Sequence, residues 1–437
     1  MSVTGAGSSL MVDVPTADGA RIAVKRRPRP GGVPVIFVHG LGSNADLWDL
    51  PEVRGKDYHY RSLASVLHDA GYDVWLMNLR GHGAPRMLSA PPPGQTDWCV
   101  DHFILYDLPA VVEHVADQTG QRPFVIGASM GSMTAAGYVQ GAVRVRGSGS
   151  SGQGSEVGVQ EDGGAGREPG AGSGALPMDR SAEPAGADRI VADPAVAGAR
   201  QAKLRGAVFF EFPAALRWPR SAYDADGGLK WRSLLRDWWR TEEGVNYPFE
   251  VLSRLGWLQT ILEAAGQMPL GWLRGEQTEP WYRKLPPTLA KSAQRLELAA
   301  VHAMLQVAAM FNGASNSRAE VLLNQRRFVL DHMKAGVLRQ LAKCVRRGAS
   351  VSDLGDRDHV YSDHYGHVAL PTLVVQGSRD RIASPDVVRT AFFDRIAAPD
   401  KRFLLFDGLG HGELEAAPVA SEQVYPQVLA WLNERRA

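Results

Sequence analysis

Three side chains in this sequence have the types and settings to turn an alcohol into a nucleophile. The first is Ser129, in Gly127-Ala-Ser129-Met-Gly131. It follows the short apolar run Pro123-Phe-Val-Ile126 and precedes the small-residue stretch Ser132-Met-Thr-Ala-Ala-Gly137. That context reads as a strand, a sharp turn and a helix. On such a turn the hydroxyl stands above the sheet edge, and side chains two residues to either side would collide, so both positions want glycine. The plain alternative is a glycine-rich strand–helix turn with no chemistry. A hydroxyl is a poor nucleophile until a base takes its proton. The chain has twelve histidines, and His411 is best placed. It follows the last apolar run in Phe406-Asp-Gly-Leu-Gly-His411-Gly, on a loop free to reach over a sheet edge. His68, His114, His302 and His332 lie in helical patterns, and His82 lies in a turn. The base in turn needs an orienting carboxylate. Asp380, in Gly377-Ser-Arg-Asp380, follows another apolar run. Glu211, just after the run ending at Phe210, is the rival acid, and motif context favours Asp380.

An oxyanion must also be held. Val38-His39-Gly40-Leu41-Gly42 closes the first parallel run with a glycine-rich turn. The backbone N–H of Leu41 and that of Met130, next to the serine, are the candidate donors. Two such donors form an oxyanion hole, and loss of one typically costs about 100–1,000-fold in rate. His39 reads as ordering this loop and not as titrating in catalysis. The cluster Asp356-Arg-Asp358-His359 with Asp363-His364-Tyr-Gly-His367 has metal-ligand residue types but matches no known spacing, so it reads as a solvated linker. No metal and no cofactor is called for.

The elements that would position these groups follow from hydrophobic patterning. The runs 33–38, 73–77, 123–126, 206–210, 372–376 and 402–406 are mostly uninterrupted, which suits a parallel sheet covered on both faces. Helical patterns at 60–70, 102–118, 130–140, 385–397 and 417–435 lie between them, giving an α/β chain. Leu10–Val14 and Arg21–Lys25 suggest an antiparallel hairpin at one edge. Residues 147–187 contain no aromatic residue and almost no bulky aliphatic one, so they cannot bury enough surface to offset ordering entropy. A disordered low-complexity insertion is expected at 145–203. The stretch 213–367 breaks the strand–helix alternation. It is helical in pattern, notably at 287–311 and 318–347, and holds seven of the eleven tryptophans. It reads as an inserted helical cap, with most tryptophans building its own core. The catalytic core is then 1–144, 204–212 and 368–437.

Composition narrows the function classes. Forty-eight basic residues against forty-seven acidic ones leave a net charge of +1, with no footprint for nucleic acid. Two cysteines, Cys99 and Cys344, cannot build a secreted disulfide scaffold. The first thirty residues hold no signal-peptide core, and no window reaches the roughly 18 apolar residues of a membrane span. A cytoplasmic protein without a transmembrane segment is expected.

With these residues in view, the chain resembles the α/β-hydrolase superfamily over about 33–140, 204–215 and 368–435. Gly71-Tyr-Asp-Val-Trp-Leu-Met-Asn-Leu-Arg-Gly-His-Gly83 and Tyr106-Asp-Leu-Pro-Ala-Val-Val112 look like the acid-lipase branch. The same blocks are similar to those of polyhydroxyalkanoate synthases, which use a cysteine nucleophile where this chain has Ser129. Epoxide hydrolases and haloalkane dehalogenases share the fold with an aspartate there. The chain order Ser129, Asp380, His411 is that of this superfamily. The resemblance implies an α/β-hydrolase fold: a mostly parallel sheet with helices on both faces and an inserted cap. It gives Ser129, Asp380 and His411 the triad roles, and Leu41 and Met130 the oxyanion positions. Two positions depart from the commonest lipase pattern: Ala128 stands for a histidine and Ser132 for a glycine, both small enough to preserve the turn. The expected activity is hydrolysis of a hydrophobic, lipid-like carboxylic ester through an acyl-enzyme. Acyl transfer to another acceptor and ligand binding without turnover are the alternatives.

Overall fold

The six apolar runs form six strands because their residues are apolar at consecutive positions and find cover on both sides. The structure is a computed structural model that describes residues 9–83, 87–145, 188–216, 286–287 and 316–436. Its main sheet has eight strands: β1 (Leu10–Pro15), β2 (Arg21–Arg27), β3 (Pro34–Val38), β4 (Asp73–Met77), β5 (Phe124–Ala128), β6 (Gly206–Phe210), β7 (Thr372–Gly377) and β8 (Lys401–Phe406). They lie in the order β1-β2-β4-β3-β5-β6-β7-β8. Every pairing from β4 across to β8 is parallel, while β1 pairs β2 and β2 pairs β4 antiparallel. The edge hairpin is therefore where the sequence placed it.

Successive side chains of a strand point to opposite faces. Val35, Phe37, Val74, Leu76, Phe124, Ile126, Val208 and Phe210 fill one core, with helices Leu63–Asp69 and Tyr425–Asn433 over it. Ile36, Val38, Trp75, Met77, Val125, Ala207, Phe209 and Val374 fill the other, under helices Leu108–Thr119 and Met130–Val139. Each such burial contributes about 1.5–3 kcal/mol, so the sheet is fixed from both sides. The two edge strands, β1 and β8, are exposed, with Leu10, Met11 and Leu405 each about half in solvent.

Register then places the chemistry. Val38 pairs with Gly127, Ala128 with Phe210, and Phe210 with Val375. The chain segments after β3, β5, β6, β7 and β8 therefore all leave from one carboxyl rim.

Two boundaries differ from the sequence reading. The end of the 145–203 insertion is built into the fold. Arg189–Ala192 pairs antiparallel with Ala142–Val145, and Asp193 caps helix Pro194–Ala202 by accepting the N–H of Ala195 at 2.7 Å. Arg200 and Gln201 then tie that helix to the carbonyls of Tyr138 and Val139. The alanine-rich composition hid a Pro-initiated, Asp-capped helix. Residues 146–187 lie outside the described residues. Within 213–367, helices Ala319–Asn324 and Ala335–Arg347 match the expected helical pattern. The expected helix at 287–311 and the seven tryptophans of this stretch lie outside the described residues, apart from Pro287. The buried core also reaches back before 368: Val337, Leu341, Cys344, Val351, Tyr361 and Tyr365 share one apolar cluster with Met130, Met133 and Tyr138, and Tyr365 packs edge-on against Phe392.

Candidate active site

Ser129 sits between β5 and the helix that starts at Met130, with φ 51° and ψ −114°. Among the described residues only Ser129 and Glu211 take positive φ without being glycine. Such a conformation costs on the order of 1–3 kcal/mol and persists only where neighbours over-determine it. Here the Ser129 N–H donates to the carbonyl of Phe210 at 2.9 Å, and its own carbonyl accepts the N–H of Met133 at 3.1 Å. The flanking glycines have separate reasons. A Cβ on Gly127 would lie 2.6 Å from the carbonyl oxygen of Gly131, and one on Gly131 would lie 2.4 Å from that of Val38. Ser132, which the sequence offered only as a small substitute for glycine, donates its hydroxyl to the carbonyl of Gly127 at 2.8 Å. It stitches the end of the strand to the first turn of the helix.

The structure brings His411 and Asp380 to this serine. Nε2 of His411 lies 3.0 Å from Oγ of Ser129, and Nδ1 lies 2.9 Å from Oδ2 of Asp380. Asp380 is buried, and its Oδ1 accepts the N–H groups of Ile382 and Ala383, each at 2.8 Å. Gln376, a buried polar residue near the end of β7, donates to Oδ2 at 2.9 Å. A glutamine closing an apolar strand was the available sequence signal for it. Burial pushes the imidazole of His411 down, but the charge and hydrogen bond of Asp380 outweigh that and hold its pKa above 6.5.

Glu211, the rival acid, takes a different place. Its Oε2 is 3.8 Å from Nδ1 of His411, beyond hydrogen-bond range. Its carboxyl instead accepts the N–H of Gly412 at 2.6 Å and that of Leu414 at 3.3 Å, so it shapes the histidine loop. Burial and the nearby charges of Glu415 and Asp380 raise its pKa well above the carboxylate range, and burial pushes Glu415 up to about 7. Glu211, Asp380 and His411 bring ligand-type atoms within 4.8 Å of one another. Nδ1, the nitrogen that faces both carboxylates, is bonded to Asp380, and the Glu211 oxygens are bonded to loop amides.

The loop after β3 crosses the serine. A Cβ on Gly40 would lie 3.3 Å from Cβ of Ser129, and Gly42 takes φ +64°. His39 is fully buried; its Nδ1–H donates to the carbonyl of Gly40 at 2.9 Å and its Nε2 accepts the N–H of Leu79 at 3.1 Å. Burial and the adjacent His82 push it down to about 3, so it is a neutral loop-ordering group. Leu41 follows the glycine that abuts the serine, and Met130, the first residue of the helix, follows the serine itself.

The acid–histidine cluster is solvated at Asp356, Arg357, Asp358 and Asp363, as expected, but its histidine side is tied into the fold. Asp358 pairs with Lys343 at 2.6 Å and with Arg347 at 2.7 Å, and His359 is buried against the rings of Tyr361 and His364. The cationic face of helix Ala335–Arg347 draws it in. Its histidines and acids do not converge ligand atoms among the described residues.

Comparison with known proteins agrees with this architecture. Residues 33–143 match the family model described as alpha/beta hydrolase fold. The chain is 36% identical over 137 residues to Lipase member K of Homo sapiens, covering 28% of this chain and 32% of that one. It is 37% identical over 134 residues to gastric triacylglycerol lipase of Homo sapiens, with 28% and 32% covered. Triacylglycerol lipase 2 of Arabidopsis thaliana is 32% identical over 134 residues, with 28% and 31% covered. The chain thus spans about a third of the length of the curated relatives it matches. Among solved structures, a thermophilic esterase from Thermogutta terrifontis aligns with a TM-score of 0.47 at 14% identity, covering 98% of this chain and 100% of that one.

Proposed function

From a chain with the α/β-hydrolase fold, we propose a serine hydrolase that cleaves a hydrophobic carboxylic ester through an acyl-enzyme. The observation that carries this reading is the unbroken relay of Ser129, His411 and Asp380, with contacts of 3.0 and 2.9 Å, on a strained elbow at the sheet rim. Oγ of Ser129 attacks the ester carbonyl while its proton passes to Nε2 of His411. The carbonyl oxygen takes up the negative charge and is held by the N–H groups of Leu41 and Met130. The tetrahedral species collapses, the C–O bond to the alcohol breaks, and the imidazolium protonates the leaving oxygen. Water then gives a proton to His411 and attacks the acyl carbon; the bond from that carbon to Oγ of Ser129 breaks, the imidazolium returns its proton to Oγ, and the acid leaves. Asp380 fixes the tautomer with hydrogen on Nδ1 and stabilises the charged imidazole between steps. Lipase relatives that match 28% of the chain support an ester with an apolar part.

The test uses purified full-length protein, a fluorophosphonate probe and esters of graded acyl length. Labelling of Ser129 is expected, and Ser129→Ala should lose the label and roughly 10⁴–10⁶-fold of turnover. Labelling that survives the substitution would remove the assignment. Free acid as the product, with and without an added alcohol acceptor, separates hydrolysis from acyl transfer. A cytoplasmic location belongs to the same reading. Two buried free thiols, Cys99 and Cys344, suit a reducing compartment, and cell fractionation tests it.

A further inference from the structure

The loop that carries Leu41 is held from outside the sheet. The peptide plane that contains the Leu41 N–H also contains the carbonyl of Gly40, and the two point in opposite directions because the plane is rigid. That carbonyl accepts from Nδ1 of His39 at 2.9 Å and from Oγ of Ser43 at 2.9 Å. Two residues on, the hold comes from the long insertion between β6 and β7. The N–H of Asp331 donates to the carbonyl of Gly42 at 2.9 Å. Oδ2 of Asp331 accepts Nδ2 of Asn44 at 3.2 Å and the N–H of Gly83 at 2.7 Å, while Oδ1 accepts the N–H of His332 at 2.8 Å. Nδ2 of Asn44 also donates to the carbonyl of Phe328 at 2.9 Å, and Met333 covers Gly42 closely enough that a Cβ there would lie 3.5 Å from its sulfur. Asp331 is 1% exposed and Asn44 is 3% exposed, so this junction excludes water. One carboxylate thereby joins three segments: the loop after β3, the loop after β4, and the return limb of the insertion.

We infer that Asp331 is a positioning residue that clamps the Gly42–Asn44 turn and thereby keeps the Leu41 N–H aimed at the developing oxyanion. Transition-state stabilisation then depends on how residues 328–333 of the insertion dock against this loop. The catalytic consequence rests on the ester-hydrolysis reading above; the clamp itself does not. A buried carboxylate that only anchored the fold would set stability and leave the oxyanion step untouched, whereas a positioning group acts on kcat and not on KM.

The experiment compares full-length wild type with Asp331→Ala, Asp331→Asn and Asn44→Ala. Three readouts are taken: kcat and KM on a short-chain ester, inhibition by an alkyl trifluoromethyl ketone that forms a tetrahedral adduct, and amide hydrogen exchange over residues 39–45. Asp331→Ala should lower kcat by about 10–100-fold with KM nearly unchanged, weaken the ketone by a similar factor, and speed exchange at 41–44. Asp331→Asn can keep one acceptor oxygen for Gly83 and Asn44, so it should recover most of the activity. A folded Asp331→Ala protein with wild-type kcat and exchange overturns the inference, as does a loss confined to KM or to thermal stability. If Asp331→Ala does not fold, Asn44→Ala removes the link from the loop side and is judged by the same three readouts. Failure of the ester reading looks different: wild type is inactive or labelled elsewhere than Ser129, while the exchange measurement still judges the clamp.

Discussion

At Asp380 a single carboxylate decides how the imidazole behaves. It accepts from Nδ1 of His411 and is held by two loop amides and Gln376, so its direction cannot relax. Asp380→Asn keeps the shape but offers no charge and disturbs the tautomer, so kcat should fall by about 10³–10⁴-fold with little change in KM. The pH profile carries the same cause. His411 must be neutral to take the serine proton, so kcat/KM is lost as pH falls through the imidazole pKa. Because Asp380 holds that pKa above 6.5, the acid limb of the wild-type profile should lie above 6.5. In Asp380→Asn the limb should move to lower pH, since the main influences opposing burial are then removed. A limb that stays in place would mean that some other group titrates. Glu211 was legible as an acid near the rim, but its 3.8 Å separation from Nδ1 was a matter of side-chain placement that no spacing reveals.

The strand–turn–helix element after β5 concentrates the local cost of the site. Its two glycines are fixed by backbone oxygens that have nowhere to go: those of Gly131 and Val38. Gly131→Ala would force the first helical turn away from the end of β3. A loss of about 1–3 kcal/mol or more in unfolding free energy is expected, read from the denaturant midpoint, together with slower phosphonylation of Ser129. An unchanged midpoint and rate would show that the helix can retreat without consequence. This element was readable in advance because its signal is local: an apolar run, glycines two residues either side of a serine, then small residues. Helix Pro194–Ala202 had an equally local signal in Asp193-Pro194, but the surrounding Ala- and Gly-rich composition outweighed it.

Across the whole molecule, the insertion after β5's helix is closed by its own hairpin. Val145 pairs with Arg189, and Arg144 pairs with Asp188, so the two ends meet at the spacing of neighbouring strands. A two-residue Asn-Gly turn in place of 147–187, which leaves position 146 opposite Asp188 in the same register, should therefore complete the hairpin. Thermal stability within ~2 °C of wild type and kcat within about twofold are expected, because loop-closure entropy changes only logarithmically with length. A large loss of either would show that the removed residues contribute contacts of their own.

By itself the sequence determined the six apolar strands of the main sheet, the elbow and the identity of the candidate nucleophile, because apolar patterning and glycine spacing act within a few residues. It also bounded the histidine and acid to loops after strands. Only the tertiary structure decided that Ser129 and His411, 282 positions apart, come within 3.0 Å, since that distance is set by the register of five parallel strands. It alone separated Asp380 from Glu211, packed residues 188–203 onto the fold, and placed Asp331 against the loop after β3. Those outcomes depend on which surfaces meet, and contacts between distant segments leave no period in the chain.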